Sequence, residues 1–211
     1  MGTKKACESN INIGSGNSYL KINDAFGIPE AGYVVLRDSF GNEVHKYGDD
    51  IINLSLISTN VKCNRINFTL LPHQLREEGR WMWFLSFFNG KGVNNNNLSV
   101  NTLYKYFYSF VRPLALFASS MDTTMTNVLG DKSLLSKYIY THQKESQLKA
   151  SQGMLALYIH LGSERIGFEV AYDDQLRNYV SQRVNEWKYR REQVPVIPPR
   201  IYQERARLMW G

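Results

Sequence analysis

The spacing of apolar side chains changes once along the chain, and the change divides it. Up to about residue 95 the short period dominates. "YVVLR" (33–37) and "EVHKY" (43–47) flank "DSFGN", where Asp38, Gly41 and Asn42 are turn formers, so the pattern predicts a hairpin. "IINLSLI" (51–57) and "RINFTLL" (65–71) continue it. Ile66, Phe68 and Leu70 alternate there with Asn67 and Thr69, as strands require. The run "LREEGRWMWFLSFFNG" then reads as a helix laid on that sheet, although its interior Gly79 costs ~1 kcal/mol relative to alanine. "NGKGVNNNN" has almost nothing to bury and favours turns, which places a domain boundary there.

Beyond that break the period is helical. Ser99 can cap a helix reaching about Ser119, with Leu103, Phe107, Phe110, Leu114 and Phe117 on one face and Lys105, Ser109 and Arg112 on another. Pro113 should bend it. A second helix starts near Thr124 or Asp131 and carries Leu134, Leu135, Tyr138 and Ile139. A third covers 146–161 with Leu148, Leu155 and Ile159 inward. A fourth follows Asp173 and Asp174, whose charges suit a helix N-terminus, and presents Leu176, Val180, Val184 and Trp187. No internal repeat is evident. The expected architecture is α+β: a β-rich domain with one helix over 1–95, then a four-helix bundle over 98–192. The remaining 193–211 opens with three prolines, Pro195, Pro198 and Pro199, and reads as a stiff connector leading into a further helix.

Charge sharpens the division. The chain carries a net +6, of which residues 1–98 hold +1 and residues 99–211 hold +5. Eight bases against three acids fall within 177–211. A basic helix is more often a solvated face than a ligand site, yet clustering beside a rigid connector points to an acidic partner. The two cysteines, Cys7 and Cys63, read as idle thiols of a reducing compartment. No signal peptide or membrane span is written in the sequence, so the expectation is a soluble, intracellular protein. The N-x-S/T triplets at Asn53, Asn67 and Asn97 then have no role as glycosylation sites.

Catalytic signatures are missing. "GSGNS" and "NGKG" lack the spacing of a phosphate loop, and no cysteine–histidine set has zinc-ligand spacing. His45, His73, His142 and His160 are scattered and read as packing or surface residues. "AYDDQ" is better explained by helix capping than by a metal. In "HQLR", His73 and Arg76 stand one helical turn apart, but no nucleophile or second arginine surrounds them.

Three segments in succession, "TTMTNVLGDKSLLSKYI", "GMLALYIHLG" and "VPVIPPRIYQE", resemble the N-terminal half of phage-integrase-type tyrosine recombinases. In one group of these a "Q-T-P-V-I-P-x-R-I-Y" segment leaves the bundle. Here it reads Gln193 to Tyr202, with Val194 in place of threonine. The same group carries a "Y-G-D" in its β-region, matched by Tyr47, Gly48 and Asp49, whereas a tryptophan expected soon after is replaced by Ile51 or Ile52. The resemblance covers roughly 98–203, and more loosely 33–90.

It implies that the bundle is a SAM-like core-binding domain, which closes over one face of duplex DNA while a catalytic domain grips the other. In that family a tyrosine attacks the scissile phosphate, helped by arginines, a histidine or tryptophan and a lysine, without metal or cofactor. Those residues follow the core-binding domain, so neither His73 and Arg76 nor Tyr202 would belong to them. No catalytic or metal residue is therefore assigned, and the chain as given is not expected to cleave DNA. The phosphate-contacting set implied is Thr102, Lys105, Arg112, Lys132, Lys137, Lys149, Lys188, Arg190 and Arg191. Expected partners are duplex DNA and other recombinase protomers, in the bacterial cytoplasm. The β-rich part would support protomer contacts or add DNA contacts. The alternative is a non-catalytic adaptor or structural protein whose aromatic helices pack on a protein partner.

Overall fold

The computed structural model describes residues 28–57, 64–91 and 97–192. Cys7, Cys63, the "GSGNS" stretch and the proline-rich connector lie outside them. The fold is α+β, two small antiparallel sheets joined to a set of helices.

The predicted hairpin forms from β1 (Val34–Arg37) and β2 (Glu43–Lys46). Asp38 organises its turn by accepting from the N–H groups of Phe40 and Asn42, both at 2.9 Å. Gly41 supplies the left-handed conformation, φ 86°, that the turn needs.

The next two expected strands are shorter than their alternation implies. β3 (Ile51–Asn53) and β4 (Arg65–Asn67) pair about Ile52 and Ile66, and each ends at its asparagine. The Asn53 side chain accepts from Ser55 N–H and that of Asn67 from Thr69 N–H, turning Leu54–Leu56 and Phe68–Leu70 into single 3₁₀ turns. An asparagine that bonds its own backbone two residues on offers an alternative to the ladder, and here it wins. Phe68 stays buried while Leu70 faces out at 39% exposure. The strings Ile52-Asn-Leu-Ser-Leu56 and Ile66-Asn-Phe-Thr-Leu70 are therefore one short unit used twice about a local two-fold. That corrects the expectation of no repeat, and it gives two of the N-x-S/T triplets a structural role.

Helix α1 (Arg76–Asn89) follows, and its glycine is explained by packing. A Cβ on Gly79 would stand 2.6 Å from Leu71 Cδ1, so the helix gives up propensity for close approach. α1 also faces beyond its own sheets. Trp83 Nε1 donates to Leu103 O at 3.0 Å, and the Tyr158 hydroxyl donates to Met82 O at 3.0 Å. The Glu78 carboxylate accepts from the N–H groups of Met125 and Thr126. The boundary expected near residue 95 is thus a connection crossed by a continuous core, running from Val35 through Trp83, Phe107 and Tyr138 to Val180.

The helical half begins with α2 (Val100–Tyr106), capped by Ser99 as expected. It widens into a π turn at Phe107–Val111 and continues as α3 (Arg112–Ser120). Pro113 cannot donate and its ring crowds the preceding turn, so the chain relieves the conflict with the wider turn just before it. Thr124 and Asp131 both act as caps, giving two helices, α4 (Met125–Gly130) and α5 (Lys132–Tyr140), where one was expected. Then come α6 (Glu145–Leu161), the single turn α7 (Ser163–Ile166) and α8 (Asp174–Glu192). α6 packs against α2, the π turn and α8. Ile159, expected inward, faces out at 42% exposure, while Leu148, Met154, Leu155 and Tyr158 line the core.

Buried His142 packs edge-on to Tyr138, and its Nε2 lies 2.7 Å from Ser151 Oγ. Burial lowers its pKa from 6.5 to about 4. A depressed histidine contributes stability in full above pH 6.5 and loses it as pH falls toward 4, because only the unfolded chain takes the proton there. Between about pH 7 and pH 4.5 this costs roughly 2–3 kcal/mol. His142→Gln should flatten that part of the profile in urea melts. An unchanged slope would show that other groups carry it.

Candidate nucleic-acid interface

The nine residues implied as phosphate contacts stand on different helices and in different states. Thr102 is engaged in its own cap: its N–H donates to Ser99 Oγ at 3.2 Å, and its hydroxyl lies 2.9 Å from the same oxygen. Lys105 is exposed and forms no ion pair among the described residues. Arg112 does not share the Lys105 face as α-helical spacing predicts. Its N–H bonds Phe107 O, five residues back, so the π turn delays it by one position. Arg112 is half-buried, and its Nε lies buried without a hydrogen-bond partner.

On α5, Lys132 Nζ pairs with Asp173 Oδ2 at 2.5 Å while Lys137 is exposed without an ion pair among the described residues. Asp173 also caps α8, accepting from Leu176 N–H at 2.8 Å. The bond from Lys132 and the backbone donors hold its carboxyl below the usual range. Capping is thus the role of Asp173, whereas Asp174 pairs with Arg177 at 3.2 Å within the first turn. On α6, Lys149 pairs with Glu145 at 2.6 Å. On α8, Lys188 and Arg190 are exposed, and the Arg190 guanidinium lies 6.0 Å from the Trp187 ring centroid. Arg191 follows on the same helix, its side chain outside the described residues. Arg183 pairs with Glu186 at 2.7 Å. Part of the α8 surplus is therefore neutralised within the helix. An exposed pair of this kind holds for only ~0–1 kcal/mol, so a phosphate can take Arg183 at little cost.

The structure joins α2 to α6 and α6 to α8, and Tyr140 of α5 meets Tyr179 of α8 edge-on at 4.8 Å. Of the implied cations, Lys105, Arg112, Lys137 and Arg190 form no ion pair among the described residues, and they sit on α2, α3, α5 and α8. His73 is exposed, and Arg76 pairs with Asp50 at 3.6 Å. That gives Arg76 a structural partner.

Tyr108, outside the implied set, is near enough to Arg112 to feel its charge. Tyr104 and Tyr108 lie with ring centroids 4.3 Å apart, and the Tyr108 hydroxyl donates to Arg65 O at 3.2 Å. A charge pattern marks them in the sequence: residues 51–76 and 79–121 contain no aspartate or glutamate. Among the described residues no helix is long and apolar enough to cross a membrane. Comparison with protein-family models, curated proteins and solved structures finds no match.

Proposed function

We propose that this chain is the DNA-gripping part of a tyrosine recombinase, its helical half a SAM-like core-binding bundle and its cleavage chemistry supplied by a further domain. The observation that carries this reading is a set of exposed or half-exposed cations without ion-pair partners among the described residues, Lys105, Arg112 and Lys137 among them, in the half of the chain that holds most of the surplus positive charge. The resemblance of the helical segments to core-binding domains supports it. A cation that meets a phosphate releases a counterion, which makes the affinity depend on salt.

Titration of a labelled duplex with the chain tests it. With about four phosphates neutralised, affinity should fall roughly a hundredfold between about 50 and 200 mM salt. The duplex should stay uncut. Binding indifferent to salt, or no binding at the lower concentration, would sink the reading.

A further inference from the structure

Two stretches without a carboxylate meet at one seam. The first, 51–76, contributes β4 and the 3₁₀ turn after it; the second, 79–121, contributes α2, the π turn and α3. Phe68 packs edge-on against Phe107 at 5.4 Å and closes the inside of the joint. Outside it, the Tyr108 hydroxyl bonds Arg65 O and the ring leans on Tyr104. Burial raises the Tyr108 pKa and Tyr104 adds to the rise, while the nearby Arg112 charge opposes both. The phenol therefore stays neutral as a donor to Arg65.

Arg112 follows Tyr108 by four residues, a spacing that makes helical neighbours. In an unbroken α-helix it would stand in register with Lys105 and Ser109. With one residue added to the turn it leaves that register, while its charge still acts on Tyr108 and its Nε lies against the protein. Its terminal nitrogens, and the exposed side chain of Arg65, have no ion-pair partner among the described residues. A guanidinium with its inner nitrogen packed and its fork outward suits a phosphate, which accepts two parallel hydrogen bonds.

We propose that this seam is a DNA-contact surface, with Arg112 and Arg65 each holding a backbone phosphate of one duplex across the joint between the helical half and the β-region. It rests on the proposed DNA-gripping function and extends its footprint from Arg112 to Arg65, which that function did not include. The β-region then belongs to the grip itself.

The experiment is the duplex titration repeated over a salt series with the full chain and its R112Q, R65Q and double variants. Each single change should reduce the slope of log affinity against log salt by about 0.9, and the double by about twice that. R112K and R65K keep the charge and should restore the slope, which separates a lost phosphate contact from a lost fold. R165Q serves as the control, because Arg165 bonds Asn89 at the end of α1 and should leave the slope unchanged. If the unaltered chain binds but R112Q and R65Q keep its slope, the seam is overturned and the gripping function stands. A slope lowered equally by R165Q would also overturn the seam in favour of diffuse attraction. Failure of the unaltered chain to bind would remove both.

Discussion

Arg80→Met is expected to cost the fold about 3–5 kcal/mol, as for a buried charge network that loses one member. Arg80 is 2% exposed. Its Nη1 donates to the carbonyl oxygens of Tyr47 and Asp49, both at 2.8 Å, and its Nη2 to Asp50 Oδ1 at 3.2 Å. The guanidinium also lies 5.0 Å from the Phe68 ring centroid. Methionine keeps much of the volume but removes the donor from the Tyr47 and Asp49 carbonyls, while half-exposed Asp50 keeps Arg76. Lysine should recover only part of the loss, because a single ammonium cannot reproduce the fork that reaches two carbonyls and a carboxylate. Urea midpoints of the three proteins measure this. A loss under about 1 kcal/mol for the methionine variant would refute the clamp.

The segment that Arg80 holds is the Tyr47-Gly48-Asp49 triplet. A Cβ on Gly48 would come within 2.9 Å of Ala31 O and Cβ, so the glycine admits the neighbouring loop closely enough for the backbone bond between Gly48 and Ala31.

The second large effect is at Trp83, which is fully buried and packs against Phe68, Phe84 and Phe87. Trp83→Ala should cost about 3–5 kcal/mol, and Trp83→Phe clearly less because most of the volume survives. The position is informative because its indole reaches across to Leu103 O in α2. If the core is continuous, calorimetry of the unaltered chain gives one transition, and Trp83→Ala moves all of it downward. Two transitions, only one of them shifted, would restore a boundary near residue 95.

What could be read from the sequence was whatever local chemistry decides. Ser99, Thr124, Asp131 and Asp173 each cap the helix that follows, because a short oxygen-bearing side chain meets free N–H groups wherever it precedes a helical run. The hairpin turn was legible for the same reason. Strand length was not. Alternation continues through Leu54–Leu56 and Phe68–Leu70, while the asparagine before each has already captured the backbone. The long-range role of α1 was also hidden, since an aromatic face fits a sheet or a bundle equally well. Among the candidate cations, residue type was legible but partnership was not: Lys132 and Lys149 look like Lys105 in sequence, and only folding brings Asp173 and Glu145 to them.

The wide turn at Phe107–Val111 also governs what length changes this helix can absorb. An added residue in a regular helix swings everything downstream around the axis and would carry Leu114 and Ala118 out of the core. Taken up in one wide turn, it is confined there, and the apolar stripe resumes beyond it with both residues fully buried. The turn works as a phase adjuster. Removing one residue from it would leave a helix of ordinary pitch whose two halves still address the same neighbours.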